Sequence, residues 1–223
     1  MNDLQEQLAS SNTNIDERIA FLSKTYGLLG LCIAAATVGT YMSMEFTFPR
    51  EHPWMMLFAL IGGIFAVNAV RHVPKVNAVA LLGFGALSGA VIAPLVGYVA
   101  STSGEGVVAQ AFMTTAITFG ALTAYVFYSG KDFSFMRGFL VTGLIAMIVL
   151  MLLNYFIFES GVMSLAISGV CVLLFSGFIL YDTSNILREY PSDEYISAAL
   201  TLYINVFMLF QHLLYLFGVL NDD

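Results

Sequence analysis

Seven long stretches of the chain contain no charged residue. The 15 acidic and 8 basic side chains divide the 223 residues so that each stretch is 19 to 29 residues long. A helix of roughly 17–25 residues crosses the ~30 Å hydrocarbon core of a bilayer, so each stretch is long enough to span one. The stretches cover residues 25–44, 52–70, 76–104, 106–130, 138–158, 160–181 and 195–221. The sequence therefore predicts an all-α integral membrane protein with seven transmembrane helices.

The composition excludes several other classes of protein. Apolar residues make up 59% of the chain and charged residues 10%, whereas soluble domains have ~45–50% and ~25%. A transmembrane β-barrel would show alternating segments of ~10 residues, and these stretches are continuously apolar. No P-loop, H-E-x-x-H or Ser-His-Asp pattern is present in the sequence. We therefore expect no catalytic residues, no resident cofactor or metal, and no nucleic-acid partner.

The distribution of basic residues predicts the orientation in the membrane. Helices are expected near 26–45, 54–70, 77–99, 107–128, 138–158, 162–188 and 197–219. With these boundaries, Arg50 alone lies on one side, and the opposite side carries Arg18, Lys24, Arg71, Lys75, Lys131, Arg137 and Arg188. Basic residues concentrate on the cytoplasmic side, which predicts a cytoplasmic amino terminus and a carboxyl terminus outside. Residues 1–22 are expected to form a polar cytoplasmic tail, followed by a transmembrane domain over 23–221.

One acidic residue, Asp182, follows an apolar stretch without a helix break. Pro191 ends the pattern, so Asp182 is expected six residues, or roughly 9 Å, inside the end of the sixth helix. Asn205 lies at a similar depth on the returning seventh helix, and the two side chains are expected to be neighbours. Arg71, at the end of the second helix, is the candidate cation for this acid. The alternative interpretation is that Asp182 simply reaches water at the helix end.

Small residues on the third helix indicate close packing between helices. Gly85 and Gly89 form a G-x-x-x-G step, which lets two backbones approach each other. Pro94 in the same helix should introduce a kink or free a carbonyl group. Cys32 and Cys171 lie within apolar stretches, where a small apolar residue is the simpler interpretation than a disulfide or a metal ligand.

Four segments resemble the Bax inhibitor-1 family of membrane proteins, and its bacterial YccA type in particular. They are GFGALSGAVIAPLVGY, KDFSFMRGFL, ILYDTSNI and LTLYINVFMLF, in this order along the chain. The resemblance implies six helices that surround a central seventh. Some bacterial members are pH-sensitive calcium leaks in which two aspartates share a proton and an arginine engages one of them. These positions correspond to Asp182, Asn205 and Arg71, so this chain has an amide where the leak proteins have the second acid.

The resemblance also implies a partner and a location. Proteins of the YccA type belong to the bacterial inner membrane and bind an FtsH-type AAA protease with its stomatin-like companions. The first functional expectation is therefore a modulator that binds and restrains this protease complex. The alternative is a pH-sensitive calcium or cation leak that is gated by Asp182 with Arg71 and weakened by Asn205. In that case calcium is the permeant ion and not a cofactor.

Overall fold

The chain folds into a bundle of long helices. The computed structural model describes residues 2–221, and the side chains of residues 16–221. Its α-helices are α1 (Asn2–Ser43), α2 (Phe48–Glu51), α3 (Pro53–Val70), α4 (Val76–Thr102), α5 (Glu105–Ser129), α6 (Arg137–Leu153), α7 (Gly161–Arg188) and α8 (Tyr195–Leu220). A 3₁₀ turn, Ser134–Met136, precedes α6, and a π-helical turn, Asn154–Phe158, follows it.

Seven of these segments are long and apolar enough to cross a membrane. They are Asp16–Ser43, Pro53–Val70, Val76–Thr102, Glu105–Ser129, Ser134–Phe158, Gly161–Arg188 and Tyr195–Leu220. The predicted class, an all-helical protein with seven spans, is therefore confirmed. The side of the membrane that each end faces stays a prediction from the charges. The end of the bundle that carries the α3–α4, α5–α6 and α7–α8 connections is called the Asp182 end below.

The first span begins earlier than the sequence predicted. Its expected start is near residue 26, because Lys24 ends the uncharged stretch 25–44 on that side. In the structure the helix is already continuous through Arg18, and Phe21 and Thr25 are buried inside the bundle. The Arg18 guanidinium donates to the carbonyl oxygens of Ile186, in α7, and of Tyr190, just after it, so a charge at this position does not end the buried part of the helix.

The last helix, α8, is the most enclosed span. In its most apolar stretch 56% of the residues are buried, compared with 6% in α3. Helices α1, α4, α5 and α7 all pack against α8. This arrangement agrees with the expected central seventh helix, and it buries the polar side chains of Asp182, Asn205 and His212 inside the bundle.

Two glycines bring α4 close to α1. A Cβ atom at Gly85 would lie 2.6 Å from the carbonyl oxygen of Cys32, and one at Gly89 would overlap the carbonyl of Ala36. The G-x-x-x-G step therefore faces the backbone of α1, one helical turn apart. Pro94 lies inside α4, which continues to Thr102. Since proline has no N–H group, the helix lacks one backbone hydrogen bond there.

Candidate functional site

Asp182 and Asn205 are in direct contact between α7 and α8. The Asn205 Nδ2 atom donates a hydrogen bond of 2.6 Å to Oδ2 of Asp182. Asp182 is 8% exposed and Asn205 is 5% exposed, so the pair is shielded from both water and lipid. An acid buried within a transmembrane helix is costly and therefore marks a candidate functional site. The alternative that Asp182 merely reaches water at the helix end does not fit this burial.

A cleft of about 490 Å³ lies beside this pair at the Asp182 end of the bundle. Residues of α3, the α7–α8 connection and α8 form its walls: Ile64, Asn68, Arg71, Glu189, Tyr190, Pro191, Glu194, Ser197, Leu200, Thr201 and Ile204. The deepest residue of α8 in this lining, Ile204, directly precedes Asn205. The cleft is therefore lined by polar and acidic groups, and its wall ends one residue from Asn205.

The structure does not bring Arg71 to Asp182, and the expected contact between them is wrong. Arg71 caps the end of α3, and its Nε atom lies 3.4 Å from a carboxylate oxygen of Glu194. The same nitrogen donates to His72 Nε2 at 3.0 Å. The physical reason is the sharp connection after Pro191, which places Glu194 nearer to α3 than Asp182. Arg71 and Glu194 thus form an ion pair across the cleft.

Tyr190 is part of the cleft wall and lies close enough to the buried Asp182 carboxylate to sense its charge. It lies in the connection after α7, outside the membrane-spanning segments, with Thr201 beside its hydroxyl. Burial raises the pKa of Tyr190, and the negative charges of Asp182 and Glu194 raise it further. The acid therefore acts electrostatically on a residue of the cleft wall.

Arg18 fixes the position of this connection. It donates a 2.7 Å hydrogen bond to the carbonyl oxygen of Tyr190 and a second hydrogen bond to that of Ile186. Cations stabilise the carboxyl end of a helix, where carbonyl groups have no partner in the helix itself. From the sequence, Arg18 contributes only to the count of basic residues. Arg18 lies about one turn before Phe21 and two turns before Thr25, both of which are buried. This spacing on one helix face is the signal that could have identified Arg18 as a residue that contacts the bundle.

Two of the segments that carried the family resemblance meet at this end. Phe133, in the KDFSF segment, donates its backbone N–H to Ser184 Oγ at 3.2 Å, and Ser184 belongs to YDTSNI. The Arg188 guanidinium donates to the carbonyl oxygen of Gly130. Asp132 accepts the backbone N–H of Ser134 at 2.8 Å, which lowers the pKa of its carboxyl group. Ser184 therefore anchors the α5–α6 connection two residues along α7 from Asp182.

Two other buried polar residues in the spans, His212 and Asn154, form local pairs. His212 lies 3.3 Å from Ser168 Oγ and stacks on Phe175. At the opposite end of the bundle, Asn154 donates to Ser164 at 2.8 Å. Within residues 16–221 no group of three or more His, Cys, Asp or Glu side chains could hold a metal ion.

The sequence matches a known family over almost its whole length. The model of the family described as "Inhibitor of apoptosis-promoting Bax1" matches residues 18–222. The chain belongs to the Bax inhibitor-1 family. Membership agrees with the resemblance of the four segments, two of which pack together around Ser184.

Relatives in the Bax inhibitor-1 family come from bacteria and viruses. The chain is 38% identical over 203 residues to an uncharacterized membrane protein of Vibrio cholerae, with 91% of this chain and 90% of that protein covered. It is 34% identical to an uncharacterized protein of Pseudomonas aeruginosa over the full length of both chains. It is also 35% identical to the Golgi anti-apoptotic protein of vaccinia virus, with 96% and 90% covered. The chain is thus a multi-span helical membrane protein with bacterial relatives.

Proposed function

We propose that this Bax inhibitor-1 family protein is a cation leak of the bacterial inner membrane, controlled by Asp182 and permeable to calcium. The observation that carries the proposal is the buried Asp182 carboxylate, whose hydrogen-bond donor is the neutral amide of Asn205. A carboxylate held in a low-dielectric environment attracts cations strongly, and it discriminates against anions.

The cleft supports the proposal because it lies at the Asp182 end of the bundle and its wall reaches Ile204, the residue before Asn205. Glu189 and Glu194 lie on its wall and add negative charge at its mouth. The ion pair of Arg71 with Glu194 crosses the cleft, so separation of these two side chains would widen the entrance. In this proposal the pair holds the entrance closed, and Asp182 receives the cation behind it.

The test uses purified protein in liposomes that contain a calcium-sensitive dye. We expect calcium entry above that of empty liposomes, and a several-fold change in its rate in Asp182→Asn. Asp132→Asn is the matched control, because it removes an exposed acid at the same end of the bundle, and its flux should equal that of the unmodified protein. Flux equal to empty liposomes at both acidic and neutral pH would exclude a leak.

A second candidate function is the restraint of an FtsH-type membrane protease and its stomatin-like companions. The observation that favours it is Asn205, which leaves the buried pair with one acid and so weakens the case for strong proton gating. This role requires direct binding and no catalysis by the chain. It is tested by co-purification with the protease complex and by the lifetime of a membrane substrate. If the protease engages the amino-terminal tail, deletion of residues 1–15, which retains Arg18, should change the lifetime of this protein or of the substrate. No change in either lifetime would show that the tail plays no part.

A further inference from the structure

We infer that His72 positions the Arg71 side chain at the cleft entrance and releases it when the imidazole binds a proton. The inference concerns regulation of the cleft, and its consequence for flux rests on the proposed leak. The residue is separate from the buried pair of Asp182 and Asn205, because His72 lies in the α3–α4 connection, outside the spans.

One carboxylate oxygen, Oε1 of Glu194, faces two nitrogen atoms. It lies 3.4 Å from Nε of Arg71 and 3.5 Å from Nε2 of His72. The Arg71 Nε atom also donates to His72 Nε2 at 3.0 Å. Each of the three side chains therefore contacts the other two. Of the three residue types, histidine is the one that ordinarily changes its charge between about pH 5 and pH 8.

Neighbouring contacts hold the surroundings of this group in place. The Glu194 Oε2 atom accepts a 2.6 Å hydrogen bond from Ser197 Oγ, in the first turn of α8. The buried Asn77 amide of α4 donates to the carbonyl oxygen of Arg71 at 2.9 Å. The Glu194 carboxylate and the Arg71 backbone are thus fixed, so a change at His72 acts on the Arg71 side chain.

The hydrogen bond from Arg71 to His72 requires a neutral imidazole. A neutral ring has one nitrogen that accepts and one that carries the proton. Because Nε2 accepts here, the proton lies on Nδ1. In this state His72 and Glu194 together hold the Nε–H group of Arg71 at the entrance.

Protonation of His72 replaces this hydrogen bond by a repulsion. Both ring nitrogens then carry hydrogen, so Nε2 can no longer accept, and two positive charges face each other. The imidazolium instead donates to Glu194 and competes with Arg71 for the same oxygen. The His72 side chain is 56% exposed, so protons reach it from water. Acid is therefore expected to release Arg71 and widen the entrance.

Other charged or titratable side chains belong to the elements around this group. They are Lys24 on α1, Lys75 in the α3–α4 connection, Glu189, Tyr190 and Asp193 in the α7–α8 connection, and Tyr195 on α8. An acid response that comes from any of them, from Glu194 or from Asp182 would remain after the imidazole is removed. Replacement of His72 therefore isolates its own contribution.

The first experiment measures calcium entry into liposomes between about pH 8 and pH 5.5. We expect a several-fold rise in acid in the unmodified protein and little rise in His72→Gln, whose amide oxygen can accept the Arg71 N–H but cannot titrate. His52→Gln is the matched control and should retain the rise, since His52 is an exposed histidine at the opposite end of the bundle. A rise that persists in His72→Gln overturns the inference.

The second experiment does not depend on conduction. Solid-state NMR of the full-length protein in liposomes, labelled with nitrogen-15 in its histidines, reports which ring nitrogen carries the proton, and His72→Gln identifies the His72 signals. At about pH 8 we expect the proton on Nδ1. In Arg71→Ala, which removes the donor, it should move to Nε2, where it can be donated to Glu194. A proton on Nε2 in the unmodified protein overturns the inference. If no variant conducts, the proposed leak fails, and the position of this proton still decides whether His72 holds Arg71.

Discussion

The side-chain amide of Asn205 donates a 2.6 Å hydrogen bond to the carboxylate of Asp182 inside the interface of α7 and α8. This contact satisfies one carboxylate oxygen without adding a charge. A neutral donor stabilises an ionised carboxylate but cannot share a proton with it, because the amide does not titrate. Within this buried pair, control of conduction by pH would therefore have to depend on Asp182 alone, and replacement of Asn205 by an acid is the most direct perturbation.

We predict that Asn205→Asp makes calcium flux more strongly dependent on pH. Two carboxylates at hydrogen-bond distance cannot both ionise without a large cost, so the pair will share a proton and titrate in two coupled steps. The measurement is dye-reported calcium entry into liposomes between about pH 5 and pH 8. Asn154→Asp is the control, since it places an acid at a buried site at the other end of the bundle. An unchanged pH profile in Asn205→Asp would show that this pair does not control conduction.

The contact of Asp182 with Asn205 could be anticipated from the sequence because both residues interrupt apolar stretches at matching depth on consecutive antiparallel helices. The number and approximate limits of the spans were predictable for the same reason, since uncharged length alone determines whether a helix can cross a bilayer. The expected start of the first span, near residue 26, is too late, because α1 continues past Lys24 to Arg18, whose side chain binds the carbonyl of Ile186 near the end of α7.

The partner of Arg71 could not be anticipated from the sequence. Judged by position along the helices, Asp182 is the acid expected nearest to Arg71. The path of the chain after Pro191 instead brings the Glu194 carboxylate to Arg71, and a connection of this kind cannot be read from the sequence.

We predict that Arg71→Gln and Glu194→Gln each increase calcium flux several-fold if the ion pair closes the cleft. The side chains are 40% and 18% exposed, and a partly exposed pair contributes only ~0.2–1 kcal/mol to stability. The melting temperature should therefore change little while the flux changes. The exchanged double variant Arg71→Glu/Glu194→Arg should return the flux towards its original value. Arg50→Gln, at the opposite end, is the control. Equal flux in all of these variants would contradict a closing role for the pair.

We predict that Gly89→Ala strongly destabilises the bundle. The new methyl group would overlap the carbonyl of Ala36, so α1 and α4 must separate. Overpacking of this kind costs about 1–3 kcal/mol, and more where a backbone atom cannot move aside. Gly97→Ala is the matched control on the same helix, because a Cβ there has no neighbour within 4 Å. The measurement is the melting temperature in detergent. Similar values for the two variants would contradict the close approach of the helices.

We predict that Ser184→Ala loosens the α5–α6 connection. The substitution removes the acceptor of the Phe133 N–H and leaves that buried group without its partner, at a cost of about 1–3 kcal/mol. Amide hydrogen exchange over residues 131–136 should therefore accelerate. Ser176→Ala is the control, because the Ser176 hydroxyl bonds within its own helix, to Val172 at 2.7 Å. Exchange that accelerates equally in both variants would indicate general destabilisation of α7 and not loss of this anchor.

We predict that the same connection becomes more mobile in acid because of Asp132. The Ser134 N–H donates to the Asp132 carboxylate, and this bond, together with the nearby charge of Arg188, lowers the pKa of that carboxyl group. A group whose pKa is lower in the folded than in the unfolded chain adds stability above its unfolded value, and this contribution is lost as the pH falls through the folded value. Local protection of Ser134 should therefore decline below about pH 4.

The measurement for Asp132 is amide exchange at Ser134, corrected for the intrinsic effect of pH on exchange. In Asp132→Asn the side-chain oxygen can still accept the N–H, but it carries no charge to titrate, so protection should be weaker at neutral pH and independent of pH in acid. Asp193→Asn, which alters an exposed acid of the α7–α8 connection, should retain the decline of the unmodified protein. A decline that persists in Asp132→Asn would show that another group controls the acid sensitivity of this connection.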